Sequence, residues 1–269
     1  MSNQMPSRIA AVPSSRKSLE RDLSRAADPE RAKILHRYFK TDKGQYGEGD
    51  RFLGIPVPLQ RKITLHHRDL PFQDLTRLLA SNIHEHRYAA LEILVAQYKR
   101  ADSPLREKIV AFYLQHTGRI NNWDLVDASA PYLLGEHLRE RPRDLLDTLA
   151  ASGNLWERRI AIVSTLALVR HGETHDTFRI AEKLLSDEHD LIHKAVGWAL
   201  RQAGKVSRPA LLSFIQQHYA SMPRTTLRYA LEHLPASERK QILRGIFNGP
   251  AQNGAVRKRK MAAKKVREQ

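Results

Sequence analysis

Apolar residues recur at helical spacing along almost the whole chain between residues 29 and 247. Residues three and four apart lie on one face of an α-helix, so this spacing predicts amphipathic helices. Short connections that carry Pro, Gly, Asp or Asn separate the apolar stretches, as is typical of helix ends. The predicted helices span residues 29–39, 58–68, 72–80, 84–99, 104–116, 122–137, 142–152, 155–171, 175–186, 189–203, 208–219, 224–234 and 236–247. No alternating pattern indicates a strand, so the predicted fold class is all-α.

Seven prolines agree with these helix boundaries. They fall at or near predicted helix starts, where the missing backbone N–H is tolerated, and are Pro58, Pro71, Pro104, Pro142, Pro209, Pro223 and Pro235. Pro131 is the exception, because it lies inside the predicted 122–137 helix. We therefore expect that helix to be kinked or split at Pro131.

One short pattern recurs along the chain. Residues 87–98, 158–169 and 194–202 each place a cation before an apolar stripe. Lys194 follows Arg158 by 36 residues, and Arg158 follows Arg87 by 71, close to twice that interval. This period is typical of HEAT-like and armadillo-like proteins, in which helix pairs stack side by side. The pattern predicts a right-handed superhelical solenoid of antiparallel helix pairs with a concave basic face.

The charge balance points to a polyanionic partner. The 269 residues include 45 Lys and Arg against 29 Asp and Glu, for a formal net charge of +16. Such an excess is typical of nucleic-acid-binding proteins, although a solvated basic surface is an alternative explanation. Cysteine is absent, which excludes disulfides and thiolate metal sites. No secretory leader or membrane-spanning stretch is recognisable, so we expect a soluble, cytoplasmic protein.

Composition divides the chain into three parts. Residues 1–25 are polar and are expected to form a loose N-terminal tail with at most a first helical turn. Residues 26–248 contain the predicted repeats and form one domain. Residues 249–269 are predicted to be a disordered basic tail, because seven cations and one acidic residue lie between positions 250 and 269. Such a tail can add phosphate contacts to the basic body.

Two segments combine aromatic, acidic and basic residues. In NNWDLVD, Trp123 and Asp127 lie one helical turn apart, so both side chains can face one point in space. An aromatic face beside an unpaired carboxylate suits contact with a positively charged group on a polyanion. In LWERRIAIV, Arg159 lies on an otherwise apolar face, where a guanidinium needs a partner.

A third segment places Lys194, Trp198 and Arg201 on one helical stripe. Every candidate also has a purely structural explanation. Taken alone, such tryptophans are more often partly buried core aromatics than ligand platforms, and Asp127 is explained as an early-helix acid favoured by the helix dipole. Arg159 is explained by an inter-helix ion pair with Asp127. Their joint occurrence is what favours a functional site.

Taken in order, NNWDLVD, LWERRIAIV and IHKAVGWALRQ resemble the motifs of the DNA alkylation repair proteins, the AlkD-like alkylpurine DNA glycosylases built from HEAT-like repeats. The stretch YFKTDKGQYGEGDRFLGIPVPLQRK also resembles the N-terminal part of that family, and the likeness covers roughly residues 26–248. The resemblance implies that Trp123 and Trp198 are site tryptophans and that Asp127 is the catalytic aspartate. It implies that Arg159 contacts a backbone phosphate near the lesion. The implied substrate is double-stranded DNA with alkylated bases, and the implied chemistry needs no metal or other cofactor.

The residue types suit removal of an N3- or N7-alkylated purine. Alkylation makes the base positively charged and a good leaving group, and bond cleavage develops positive charge on the deoxyribose. An ionised Asp127, which needs no raised pKa, stabilises that charge and positions the attacking water. The faces of Trp123 and Trp198 add cation–π attraction. No lysine is required for a Schiff base, so a monofunctional glycosylase is expected.

Further polar residues complete the predicted site. Cations close to these motifs are expected to hold the DNA backbone. The glycine-rich stretch 44–54 is expected to reach the DNA from the edge of the concave face, although a tight inter-helix turn explains its glycines more simply. The predicted DNA contacts are Arg159, Arg158, Lys194, Arg201, Gln45 and Tyr46. His189 and His193 have metal-compatible spacing, but they lack a nearby third ligand, so no metal is expected.

Two other functions fit the same pattern less well. A non-catalytic DNA-binding scaffold would bind DNA on this face without hydrolysis. A protein-interaction adaptor is the commonest use of helical solenoids, but such adaptors are more usually acidic or neutral. A monomer is expected, because one lesion needs only one concave face.

Overall fold

The computed structural model describes residues 14–247. In this part of the chain the regular structure is helical, apart from one isolated bridge between Arg51 and Ile83. The α-helices of the described residues are α1 Arg16–Arg25, α2 Pro29–Tyr38, α3 Val57–Leu65, α4 Phe72–Leu79, α5 His84–Arg100, α6 Ser103–Gln115, α7 Trp123–Ser129, α8 Asp144–Ala150, α9 Leu155–Arg170, α10 His175–Lys183, α11 Asp190–Val206, α12 Arg208–His218, α13 Arg224–Ala230 and α14 Ala236–Leu243. The all-α prediction is confirmed. The predicted basic tail, residues 249–269, lies outside the described residues.

The helices stack in two layers. Helices α3, α5, α7, α9, α11 and α13 form one layer, in which each helix packs against the next, and we call it the site layer. Helices α4, α6, α8, α10 and α12 pack on members of the site layer. Side-by-side stacking of helix pairs is the arrangement of a helical-repeat solenoid, as predicted. Residues 14–230 belong to this compact unit, and residues 231–247, with α14, belong to a second one.

Helix α9 shows why the central helices of the site layer are apolar on several faces. It packs against α7 and α11 within the layer and against α8 and α10 as well. Its side chains are consequently buried almost continuously from Arg159 to Val169. Close approach between neighbours also requires small residues. A Cβ on Gly197 of α11 would lie 2.4 Å from the Cβ of Tyr229, so glycine lets α11 pack closely on α13.

Pro131 splits the predicted 122–137 helix, as expected. Helix α7 ends at Ser129, and a π-helical segment, Pro131–Gly135, follows it. Pro131 has no backbone N–H to donate to the preceding turn. The Gly135 N–H instead donates to the Ala130 carbonyl, five residues back, at 2.9 Å. Trp123 and Asp127 therefore lie on a short helix, α7, that is separate from the segment after Pro131.

The N-terminal part of the chain differs from the prediction of a polar tail. Residues Arg16–Arg25 form a complete helix, α1, which begins with a capping box between Ser15 and Ser18. Leu19 and Leu23 are fully buried, and α1 packs against α3, α4 and α5. The charged residues around these two leucines obscure their helical spacing in the sequence.

A buried carboxylate fixes the loop between α2 and α3. Glu85, at the start of α5, accepts hydrogen bonds from the backbone N–H groups of Leu53, Gly54 and Ile55 at 2.9, 2.8 and 3.3 Å. The Asp28 N–H donates to the Leu53 carbonyl at 2.8 Å, which holds the start of α2 against the same loop. Because unpaired backbone N–H groups are costly when buried, this carboxylate closes the loop onto α5.

Gly54 is the position where this loop tolerates no side chain. Its φ is +84°, and a Cβ there would lie 2.1 Å from the Asp28 carbonyl oxygen. Gly44 has a similar φ of +78° but open space around it.

We expect Gly44→Ala to lower the free energy of unfolding by about 1 kcal/mol, because alanine is strained in the left-handed backbone conformation of Gly44. Gly54→Ala should cost roughly 2 kcal/mol more, because the backbone must also shift. Urea unfolding of both variants measures this difference, and equal losses would contradict the close approach.

Candidate functional site

A cleft of about 660 Å³ opens on the site layer, and we call it the site cleft. Its lining residues are Tyr38, Lys40, Tyr46, Trp123, Asp127, Arg159, His189, Asp190, Leu191, Lys194, Trp198, Arg201 and Tyr229. They come from α7, α9, α11 and α13, from the chain between positions 38 and 46, and from His189 just before α11. Seven of the nine residues predicted from the sequence line it together, and Gln45 and Arg158 do not.

Asp127 and Arg159 form a bidentate ion pair in the wall of the site cleft. The Arg159 Nε and Nη2 groups donate to the two carboxylate oxygens of Asp127 at 3.0 and 2.8 Å. The remaining Nη1 group donates to the Leu191 carbonyl at 2.7 Å. The carboxylate is therefore paired, contrary to the expectation of an unpaired one beside Trp123. The structural alternative, an inter-helix ion pair, is what the structure shows.

Burial governs the ionisation of Asp127. It raises the pKa of the Asp127 carboxyl above its usual value, and the positive charge and hydrogen bonds of Arg159 act in the opposite direction. The nearby Asp124 also raises this pKa. The side chain of Asp127 keeps 22% of its surface exposed, whereas that of Arg159 keeps only 6%. The carboxylate thus presents one side to the cleft, and the guanidinium lies behind it.

Trp123 is held by aromatic neighbours. Its ring stacks on Phe39 with centroids 5.2 Å apart, and Tyr38 meets it edge-on at 6.0 Å. Burial raises the pKa of the Tyr46 hydroxyl overall, although Tyr46 lies beside Trp123, which lowers that pKa. Tyr46 in turn meets the ring of Trp156 edge-on at 6.0 Å. The glycine-rich stretch therefore contributes Tyr46 to the site cleft.

Trp123 and Asp127 also line a second cleft of about 420 Å³. Several aromatic rings line its walls, including Phe39, Phe52 and Tyr88. The Trp123 ring is thus a wall shared by two neighbouring cavities. Half-buried Trp198, on α11, lines the site cleft but not this second cleft.

A buried histidine, His84, contacts the first turn of α7. His84 lies between two carboxylates, with Nδ1 3.2 Å from Asp50 and Nε2 2.8 Å from Asp124. Its ring stacks on Phe52 at 4.6 Å between centroids. Burial by itself lowers the pKa of His84, but the charge of Asp124 and the hydrogen bonds to Asp124 and Asp50 outweigh it and raise the pKa to about 9. Arg87 completes the cluster by donating to Asp50 at 2.6 Å.

The predicted cations occupy different positions. Lys194 lies in the site cleft and pairs with Asp190 one turn earlier at 2.7 Å, which raises the pKa of Lys194. Its side chain remains 41% exposed. Arg158 instead pairs with Asp187 at 2.6 Å and donates to the Ser152 and Gly153 carbonyls, outside the site cleft.

The structure adds cleft residues that periodicity does not indicate. Tyr38 is the last residue of α2, Lys40 lies two residues beyond it, and Tyr229 comes from α13. Tyr38 and Lys40 belong to a stretch that the family resemblance highlights, but no pattern in the sequence marks Tyr229. Gln45 is exposed and accepts a hydrogen bond from the Asp42 N–H, within the turn that its glycine neighbours allow.

The two histidines with metal-compatible spacing have structural partners. His189 caps α11 by accepting from the Leu191 N–H, and the His193 ring contacts the Asp187 carbonyl. Within residues 14–247, no group of three or more His, Cys, Asp and Glu side chains is arranged to hold a metal ion. A helix long and apolar enough to cross a membrane is also absent from these residues.

The stacked helix pairs define the chain as a helical-repeat protein. One of its layers carries a cleft that brings aromatic rings together with charged side chains. The chain belongs to the DNA alkylation repair enzyme family, whose model matches residues 19–234. Membership assigns it a role in DNA alkylation repair, with DNA as the substrate. A solved structure described as a predicted DNA alkylation repair enzyme from Enterococcus faecalis has a similar fold, with a TM-score of 0.59 and 20% identity. That likeness covers 78% of this chain and 97% of the other. The search of curated proteins gave no match.

The raised pKa of His84 makes the stability of the protein depend on pH. A histidine with a folded-state pKa of about 9 and an unfolded value of about 6.5 stabilises the fold fully below pH 6.5 and loses that contribution as pH rises through 9. The contribution is at most about 3 kcal/mol. Urea unfolding of wild type and His84→Gln between pH 6 and 9.5 should give a stability difference that shrinks as pH rises. A constant difference across this range would contradict the buried charge.

Proposed function

We propose that this protein is a monofunctional DNA glycosylase that hydrolyses the N-glycosidic bond of N3- or N7-alkylated purines in double-stranded DNA. The observation that carries the proposal is the meeting of Trp123, Asp127 and Trp198 in one open cleft beside Lys194. Family membership supports the same substrate class.

The proposed reaction needs little from the protein beyond charge and position. The C1′–N bond breaks, its electron pair neutralises the cationic base, and a water oxygen forms the new bond to C1′. The proton of that water passes to solvent. The exposed side of Asp127 faces the positive charge that develops on the sugar, and it orients the water. The faces of Trp123 and Trp198 attract the same charge.

The cations of the site cleft are suited to hold the DNA backbone. Lys194 is a half-exposed ammonium in the cleft, and Lys40 is an exposed one at its edge. Phosphate contacts of this kind position the duplex without reading its sequence. No lysine is proposed to form a Schiff base. The raised pKa of Lys194 supports this choice, because it disfavours the neutral amine that such a step requires.

One observation favours a second candidate function, a DNA-binding scaffold without hydrolysis. Both oxygens of Asp127 already accept hydrogen bonds from Arg159. An ion pair offers a developing cation less stabilisation than a lone carboxylate. The two candidate functions differ in whether base release depends on Asp127.

Single-turnover release of 7-methylguanine from a methylated duplex tests the proposal. Asp127→Asn should lower the rate by about 100-fold or more, with little change in DNA affinity, because it removes charge stabilisation at the transition state. Asp190→Asn is the matched control, since Asp190 is a carboxylate in the same cleft that pairs with Lys194. That variant should change the rate by less than about 10-fold, the scale of one exposed ion pair.

Equal rates for wild type and Asp127→Asn would remove Asp127 from the chemistry. Wild-type protein that binds the methylated duplex but releases no base would favour the scaffold.

A further inference from the structure

We infer that a second DNA contact lies on the site layer, in a groove that binds the phosphate backbone beside the site cleft. We call it the basic groove, and its volume is about 570 Å³. Its walls come from α3, α5 and α7, from Arg68 just after α3, and from the π-helical segment that follows α7. Binding of DNA, which family membership assigns, is enough for this contact, whether or not a base is hydrolysed.

The basic groove concentrates positive charge. It is lined by four exposed cations and one half-buried carboxylate, which are Arg61, Arg68, Lys99, Arg100 and Glu92. Four positive charges and one negative charge leave a formal charge of +3 on its walls. Charge of one sign that lines a groove focuses the field and attracts a polyanion. A DNA strand carries a negative charge about every 3.4 Å of helix axis, so one backbone can meet several of these cations in succession.

Two of the four cations already have a close carboxylate partner. Arg61 pairs with Glu92 at 2.9 Å, and Arg100 pairs with Asp69 at 2.5 Å. The Arg68 Nε atom lies 4.0 Å from the Asp69 carboxylate, which is too far for a hydrogen bond. The N–H groups of the Arg68 guanidinium are therefore better placed than those of Arg61 and Arg100 to donate to a phosphate.

Lys99 is held by an aromatic ring. Its Nζ atom lies 5.4 Å from the centroid of the Tyr132 ring, and the Arg170 guanidinium lies 4.8 Å from the same centroid. Attraction to a ring face positions an ammonium without neutralising its charge. An ammonium has three N–H donors, so Lys99 keeps donors for a second partner. Tyr132 thus places the Lys99 ammonium at the basic groove with its charge intact.

The basic groove is continuous with the site cleft. It shares Arg61, Ala128 and Tyr132 with the second cleft, which in turn shares Trp123 and Asp127 with the site cleft. Tyr132 follows Trp123 by nine residues, roughly 13 Å along a helix axis at about 1.5 Å per residue. One turn of duplex DNA is about 34 Å long, so a single duplex at the site cleft can also reach the basic groove.

The salt dependence of DNA binding tests this contact. A residue that neutralises one phosphate contributes about 0.9 to the slope of log affinity against log salt concentration. We expect the double variant Arg68→Ala, Lys99→Ala to lower that slope by about 1.8, twice this value. The measurement is fluorescence anisotropy with an unmodified duplex of about two helical turns, from about 50 to about 200 mM salt. Both side chains are exposed, so urea unfolding should show little change in stability.

The matched control removes the same charges from outside the basic groove. Arg77 and Lys108 are exposed cations of α4 and α6, which pack on the site layer. Arg77→Ala, Lys108→Ala should keep the wild-type slope. The exchange variant Arg68→Lys, Lys99→Arg retains both charges of the groove and should keep it as well.

Two results would overturn the inference. One is a wild-type slope in Arg68→Ala, Lys99→Ala. The other is an equal loss of slope in the Arg77 and Lys108 control, because net charge alone would then explain the effect.

Undamaged DNA separates this contact from the proposed function. A lower slope confined to the groove variant supports the basic groove even if the wild-type protein releases no base. An unchanged slope overturns the basic groove even if the wild-type protein releases 7-methylguanine and Asp127→Asn does not.

Discussion

The site layer depends on charged groups buried between its helices. The guanidinium of Arg159 joins three of those helices, α7, α9 and α11, through Asp127 and the Leu191 carbonyl. Apolar packing alone lets neighbouring helices shift against one another at small cost, since one hydrophobic contact resembles another. A directional ion pair does not, because a small displacement leaves a buried charge unpaired. The positions of the two site tryptophans therefore follow from this pair as much as from the core around it.

Buried charged groups also fix the part of the site layer that lies nearer the N-terminus. Glu85 closes the loop before α3, and His84 and Arg87, from the same helix turn, hold Asp50 and the first turn of α7. Helix α5 thus organises two distant segments through polar side chains rather than through leucines. Hydrogen bonds to His84, Glu85 and two of the three Arg87 guanidinium nitrogens offset the cost of burying these groups, whereas Arg87 Nε has no partner. These bonds explain why the start of α5 is buried although its sequence is strongly polar.

Much of this fold is predictable from periodicity, and much of the site is not. Helices such as α9 and α11 stand out because their apolar residues recur at helical spacing, and Pro131 marks the break after α7. Helix α1 is obscured because two leucines stand among many charged residues. Trp123 and Asp127 are recognisable as neighbours because one helical turn joins them. Arg159 lies 32 residues away from its carboxylate, so spacing alone leaves its partner open. The contacts of Tyr46 with Trp123 and of His84 with Asp124 depend on tertiary packing that no local pattern encodes.

The three tryptophans of the chain are Trp123, Trp156 and Trp198. Two of them line the site cleft, and the third contacts Tyr46 at its edge. The intrinsic tryptophan fluorescence of this protein therefore originates at or beside the candidate site, because the chain has no tryptophan elsewhere. Any molecule that enters the cleft changes the polarity around these rings, and occupancy can be followed optically in the unlabelled natural chain.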